Sequence, residues 1–282
     1  MHSRRIRQIV ALILLLPAAT LGGAEEQPEA SEANRAAKAR LELMRTLIDD
    51  FQLRSSQVEP PAGLKFGEKP LLRYNDQTRP GDKGVQALLD ATAWRLGETG
   101  RPLAIVTLEI YPSREARAVL SYEFVSLSPL TFEMKNSRGI AWRPASAALT
   151  MRRLEDAPEP ADTKRARLGQ LRQLARRFTA QGEWQGVKDE YRLLAQPIDR
   201  YDDVAAGVLD GAMFVFANGT NPELGLLLEC SDREWSYGVF CLTAATLTIQ
   251  LDGKSFDAPP TGSANTVEAS HTGTQHWMEL PE

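Results

Sequence analysis

The stretch Asp210–Glu229, DGAMFVFANGTNPELGLLLE, decides how the chain is read. Ala212 to Phe216 is a β-favouring run, Asn218-Gly219-Thr220-Asn221-Pro222 supplies turn residues, and Leu224 to Leu228 is a second apolar run. Asn-Gly between two such runs predicts an antiparallel hairpin. Asp90–Glu109, DATAWRLGETGRPLAIVTLE, aligns with this stretch without a gap at a constant offset of 120. The alignment matches Asp90 with Asp210, Pro102 with Pro222, Leu108 with Leu228 and Glu109 with Glu229, and places Trp94 on Phe214.

Outward from the two hairpins, other blocks match in the same order. Leu41, Met44, Leu47, Ile48 and Phe51 form an apolar stripe at helical spacing, which predicts a helix from Asn34 to about Leu53. Leu168, Leu171, Leu174, Ala175 and Phe178 repeat that stripe 127 residues later, and Pro70, Arg73 and Tyr74 recur as Pro197, Arg200 and Tyr201 at the same offset. Self-similarity of this kind predicts two tandem copies of one supersecondary unit. The expected fold class is therefore α+β: two related units, each an amphipathic helix packed on a twisted antiparallel β-meander.

The divisions expected from this reading are a signal peptide at 1–24 and a mobile lead-in at 25–39. The first unit follows at 40–143, a linker at 144–163, the second unit at 164–257 and a disordered tail at 258–282. Strand parity puts Ala104, Val106, Leu108 and Ile110 on the apolar face of the first sheet, with Leu224, Leu226, Leu228 and Cys230 on that of the second. The opposite faces, Leu103, Ile105, Thr107, Glu109 and Tyr111 in the first sheet and Glu223, Gly225, Leu227 and Glu229 in the second, mix apolar and polar residues. They serve either to pack the units together or to line a groove.

The N-terminal segment has Arg4, Arg5 and Arg7, then the apolar run Ile9–Leu16, then the small residues Gly22-Gly23-Ala24. That is the pattern of a secretion signal, and the apolar run is far shorter than the roughly 20 residues that span a bilayer. Cleavage after Ala24 removes three arginines and takes the formal charge from -4 to -7. An acidic exported chain is a poor match for nucleic acid or an anionic membrane surface. Export permits disulfides. Cys230 and Cys241 are nevertheless expected to stay unpaired, because a turn at Ser231–Glu234 would separate them by on the order of 20 Å along one strand.

The three histidines are His2, His271 and His276, none of them within the two units. A Ser-His-Asp triad, a Cys-His pair and a His-ligated zinc site all lack a member, so neither metal nor organic cofactor is expected. Gly97-Glu98-Thr99-Gly100 reads as a hairpin turn rather than a phosphate loop. Glu109 and Glu229 are the catalytic candidates, since two equivalent carboxylates can act as acid and nucleophile in glycoside cleavage. Strand-end glutamates about to meet solvent fit the same pattern. Arg73, Tyr74, Arg200 and Tyr201 are the ligand-binding candidates, because guanidinium and phenol suit an anionic or sugar ligand. The structural reading has each arginine clamping an acid of its own unit, Asp90 or Asp210, and recurrence in both units favours it. Lys164, Arg165, Arg167, Arg172, Arg176 and Arg177 make the second helix basic, which reads as a solvated face or a dock for an acidic partner.

The segments LRQLARRFTAQ (171–181), YRLLAQPIDRY (191–201) and VLDGAMFVFANGTNPELGLLLE (208–229) resemble an uncharacterised family of exported bacterial proteins. That resemblance implies export and brings no activity, cofactor or site residue with it. The functional expectation is a non-catalytic binding or scaffolding protein of the periplasm or envelope, with a ligand or envelope protein as partner. The alternative is a carboxylate-dependent glycan hydrolase using Glu109 and Glu229.

Overall fold

The computed structural model describes residues 28–55, 64–76, 88–112, 117–144, 147–256 and 271–279. The expected signal peptide lies outside them. A helix α1 (Pro28–Asp49) leads into β1 (Gln52–Ser55), β2 (Leu72–Asp76), β3 (Leu88–Leu96), β4 (Ala104–Pro112), β5 (Arg117–Ser126), β6 (Phe132–Lys135) and β7 (Ala141–Trp142). After β8 (Arg152–Arg153) comes the second helix, α2 (Lys164–Ala175), followed by β9 (Phe178–Trp184), β10 (Val187–Leu193), β11 (Asp199–Asp203) and β12 (Val208–Asn218). The remaining strands are β13 (Asn221–Cys230), β14 (Trp235–Cys241), β15 (Thr246–Leu251), β16 (Lys254–Phe256) and β17 (His271–Glu279).

This is a mostly-β protein, and the expected α+β class is wrong. Among the described residues, strands make up 51% against two helices, in large curled antiparallel sheets rather than two tandem helix-on-meander units. The sheets do not divide as two equal copies would. A five-stranded sheet runs β17-β5-β4-β3-β2, and β1, β6 and β7 form a separate three-stranded one. Most of the second half forms a nine-stranded sheet, β16-β15-β9-β10-β12-β13-β14-β8, with β11 also paired to β12. Sequence expected as linker supplies β8, which pairs with β14, and sequence expected as tail supplies β17, which pairs with β5.

The physical reason lies just past each helix. Both apolar stripes run past their helices: Phe51 and Phe178 lie beyond the helix ends at Asp49 and Ala175. Past α2 the spacing of buried residues changes from the helical period to two: Phe178, Ala180 and Gly182 are buried, while Thr179, Gln181 and Glu183 are exposed. That alternation is a half-buried strand, and it opens the hairpin β9–β10. The turn of that hairpin is Gln185-Gly186, both with positive φ (51° and 81°), as a two-residue turn matching strand twist requires. The central hairpin has its expected place: β12 and β13 join through Gly219-Thr220, and a register shift after Phe216 absorbs Pro222 into β13. Cys230 stands opposite Trp235 and Cys241 opposite Leu224; both are buried and neither is in a disulfide.

Three of the four apolar clusters among the described residues join the layers. Met44, Leu47 and Ile48 of α1 pack with Val106, Leu108, Tyr122 and Phe124 on one side of the five-stranded sheet. Leu171, Leu174 and Ala175 of α2 pack with Phe214, Leu226, Leu228 and Trp235 on one side of the nine-stranded sheet. Ile105, Val125, Met213, Val215, Leu227 and Phe240 fill the space between the two sheets. Each such fully buried side chain contributes about 1.5–3 kcal/mol. The mixed faces therefore pack on one another over this part of their length.

Candidate functional site

The paired inner faces are apolar where they touch and become polar towards one end. Along β4 the inner residues are Ile105, Thr107, Glu109 and Tyr111, and Glu123 of β5 is directly across from Thr107. Along β13 the corresponding residues run Glu223, Gly225, Leu227 and Glu229. Beyond the filled core, where Glu109 and Glu223 lie, the sheets part into a cleft of about 230 Å³. Its walls include Asp76, Glu109, Glu123, Asp189 and Glu223, together with Tyr111, Trp184, Tyr191, Asn218 and Asn221. Tyr191 can lie flat across β9 because residue 182 is glycine: a Cβ there would stand 1.7 Å from the Tyr191 hydroxyl. Trp184, at the end of β9, is 46% exposed, an unusual position for so large an apolar ring.

Glu109 is buried, and both its oxygens accept phenol hydrogen bonds, Oε1 from Tyr74 (3.1 Å) and Oε2 from Tyr111 (2.6 Å). Burial raises its carboxyl above the ordinary value, against the two phenols, which lower it. Glu123 is raised well above the ordinary value, first by burial and then by the negative charges of Glu109 and Glu223; a Thr107 hydroxyl opposes this. Burial and Glu109 together push the Tyr74 and Tyr111 hydroxyls up, so both phenols stay protonated as donors.

Glu229 has different surroundings. It is 3% exposed, and Arg101 from the β3–β4 turn grips it through Nε (2.7 Å) and Nη2 (2.5 Å). Tyr201 donates to Glu229 Oε1 at 2.6 Å. Glu229 is six residues along β13 from Glu223, about 20 Å at strand rise, with Leu227 and the filled core between them. The two catalytic candidates thus belong to opposite ends of the inter-sheet space, with only Glu109 on the cleft wall.

The four ligand-binding candidates sit in networks of one design. Arg73 donates from Nε (2.9 Å) and Nη2 (2.6 Å) to the two oxygens of Asp90, and Arg40 of α1 adds Nε at 2.9 Å. Arg200 donates to Asp210 at the same two distances, and Arg167 of α2 adds Nε at 3.0 Å. Arg73 also reaches the Ala37 carbonyl and Arg200 the Lys164 carbonyl, so each clamp ties a helix to a strand pair. Tyr74 and Tyr201 point their hydroxyls at Glu109 and Glu229. Arg40, Arg73 and Tyr74 also border a shallow hollow of about 370 Å³ that includes Thr220. Among the basic residues of α2, Arg167 is buried in the clamp rather than on a solvated face, and its Nη1 caps the carbonyls of Ala161 and Asp162.

The residues that sequence reasoning missed are Glu123, Trp184 and Tyr191 of the cleft and two arginines that cross between the sheets. Arg101 holds Glu229, and Arg95 donates to Asp199 at 2.6 Å while bonding the Gly97 and Gly100 carbonyls. Burial raises the Asp199 carboxyl, and the Arg95 charge opposes it. Parity along β4 and β13 already put Glu109, Tyr111 and Glu223 on the inner faces. Nothing in the sequence marked Trp184 or Glu123 as their neighbours. Both cysteines are inert by environment, burial pushing Cys230 up to about 11 and Cys241 up to about 12. Among the described residues, no group of three or more His, Cys, Asp and Glu side chains converges to hold a metal ion, and no helix is long and apolar enough to cross a membrane.

The raised carboxyls set a pH dependence. A carboxyl whose folded pKa exceeds its unfolded one favours folding fully below the ordinary value of 4.5, and that contribution is lost as pH rises towards the folded pKa. The share of stability governed by Glu109 and Glu123 therefore falls from acid to alkaline pH. Urea midpoints at about pH 5 and about pH 8 should show a smaller decline in Glu123→Gln than in the parent. An unchanged decline would place the raised carboxyls elsewhere.

No family model matches the chain, and neither does any curated protein or solved structure. The resemblance to exported bacterial proteins rests on the quoted segments alone.

Proposed function

We propose that this chain is an exported, non-catalytic binding protein of the periplasm or envelope, and that the cleft at the polar end of the inter-sheet space holds its ligand. The observation that carries this reading is the separation of Glu109 from Glu229. Glycoside cleavage needs two carboxyl groups roughly 5–10 Å apart on either side of one bond. Here one carboxylate lines the cleft, while the other is closed beneath Arg101 with the inter-sheet core between them. A concave site with aromatic walls and a few convergent polar groups is a usual setting for ligand binding. The basic, then apolar, then small-residue pattern of residues 4–24 supports export.

The test pairs isolation with turnover. Protein recovered from an envelope fraction and examined by native mass spectrometry is expected to carry a ligand or partner, and the purified chain should leave envelope glycans uncleaved. Cleavage abolished by both Glu109→Gln and Glu229→Gln would replace the binding reading with the hydrolase.

A further inference from the structure

The turn that closes the central hairpin holds the one Asn-Gly pair of the sequence, Asn218-Gly219. Asn218 is the last residue of β12 and pairs with Asn221, so Gly219 and Thr220 alone make the turn. Gly219 has a positive φ (60°), as the first central position of a two-residue hairpin turn requires. Its backbone nitrogen lies past the last rung of the β12–β13 ladder, and the missing side chain leaves the approach to it uncrowded. Gly219 and Thr220 are exposed and Asn218 is half-buried, so water reaches the pair. The Asn218 amide also ties two strands together, because Nδ2 donates to Asp189 Oδ2 of β10 at 3.3 Å. The tie adds to a short junction: β10 meets β12 at Arg192–Ala217 and Leu193–Phe216. Arg192 Nη2 donates to the Gly219 carbonyl at 3.3 Å on the same corner.

We propose that Asn218 deamidates spontaneously in the folded protein, and that the carboxylate so formed loosens the β9–β10 hairpin from the end of β12. The Gly219 backbone nitrogen attacks Asn218 Cγ and closes a succinimide ring. The Cγ–Nδ2 bond breaks, and Nδ2 leaves as ammonia with the proton that the Gly219 nitrogen gives up. One water molecule then opens the ring. Cleavage at Cγ gives aspartate, and cleavage at the backbone carbonyl carbon gives isoaspartate. Ring closure needs rotation about the Asn218 Cα–C bond out of the extended conformation, which the last rung of a hairpin permits because opening costs least there. The donor to Asp189 is lost in either product, since a carboxylate only accepts. In the aspartate product, two acceptors of like charge face each other where Nδ2 met Asp189 Oδ2, which is destabilising between neighbouring strands. In the isoaspartate product, the chain gains a methylene at the last rung of β12 and the Asn218–Asn221 pair shifts. The modification needs neither ligand nor partner.

Water supplies the new carboxylate oxygen, so incubating the folded protein in heavy-oxygen water at mildly alkaline pH marks the site. Peptide mapping by mass spectrometry is expected to find the label at Asn218 ahead of every other asparagine, Asn136 before Ser137 included. Asn218→Gln keeps a side-chain amide but closes the ring far less readily, and should take up no label at that position. A folded protein without label at Asn218, or with label first at another asparagine, overturns the modification. The consequence is read separately, on Asn218→Asp, by amide hydrogen exchange. Exchange in β10 should be at least about threefold faster than in the parent, with α1 unchanged as the internal reference. Equal exchange in β10 would overturn the loosening. If Asn218→Asp does not fold, the parent aged in the same buffer, with its more acidic form separated by ion exchange, gives the same comparison.

Discussion

Replacing Asp210 with asparagine is expected to lower the unfolding free energy by about 3–5 kcal/mol, the usual consequence of removing one partner from a buried ion pair. Asp210 is 0% exposed and accepts three guanidinium hydrogen bonds, one from Arg167 on α2 and two from Arg200 on β11. Without its charge, the buried Arg167 faces an uncompensated desolvation cost. The α2–β11–β12 junction loses its only common acceptor among the described contacts. Arg200→Lys is the gentler probe: charge survives, but the planar fork and the bond to the Lys164 carbonyl do not, for a loss of about 1–3 kcal/mol. Asp90 should be more forgiving, since Arg40 and Arg73 are both more exposed to water than Arg167. Urea unfolding of Asp210→Asn, Asp90→Asn and Arg200→Lys should give that order of losses. An Asp210→Asn variant within about 1 kcal/mol of the parent would mean the clamp is not structural.

How far these features were legible depends on whether they are local in the chain. The β12–β13 hairpin was visible because Asn218-Gly219 and the flanking apolar runs are contiguous, and the partnership of Arg73 and Arg200 with the two aspartates followed from their spacing. The β9–β10 hairpin was not visible. Its segment, from Gln181 through Glu190, is largely polar, and its strand character comes from pairing with β15 on one side and β12 on the other. The strand β8 is two residues long, and β17 lies in sequence of low apolar content; each is a strand because a sheet edge is there to receive it. The fold class failed for that reason. Local periodicity found the helices and central hairpins, while the added strands that make the protein mostly β come from long-range pairing.

The cleft divides in the same way. Period-two alternation put Glu109, Tyr111 and Glu223 on inner faces, but alternation cannot state the direction in which two sheets are stacked. Equating Glu109 with Glu229 by their matching positions suggested a catalytic pair. In the structure β4 runs towards the cleft from Ile105 to Tyr111, whereas β13 runs away from it from Glu223 to Glu229. The neighbour of Glu109 across the cleft is therefore Glu223. Trp184 and Tyr191 arrive from the hairpin that was missed, so the aromatic half of the wall had no sequence signal.

Phe51→Ala and Phe178→Ala are each expected to cost about 3–5 kcal/mol, because both remove a buried ring from a core that cannot close over the space. Phe51 stands 6.0 Å from Tyr122 and 5.8 Å from Phe124, nearly perpendicular to each, with Phe66 tilted at 6.2 Å. It follows the end of α1, so it fastens the exit of the helix onto β5. Phe178 opens β9, 5.1 Å from Tyr237 and 6.4 Å from Phe256, with Leu251 as its pairing partner. It is the point where α2, β14 and β16 meet. Perpendicular and tilted ring pairs add about 0.5–1.5 kcal/mol each beyond the area they bury, which places these residues at the upper end of the range. Phe→Leu at each site keeps most of the volume and should recover more than half of the loss. Because both rings lie beyond the helices, amide exchange should report faster opening in the adjoining strands, β5 for Phe51→Ala and β9 for Phe178→Ala, and not in the helix alone. A loss below about 1 kcal/mol at either position, measured by urea unfolding, would mean that the ring there is not part of the core that joins helix to sheet.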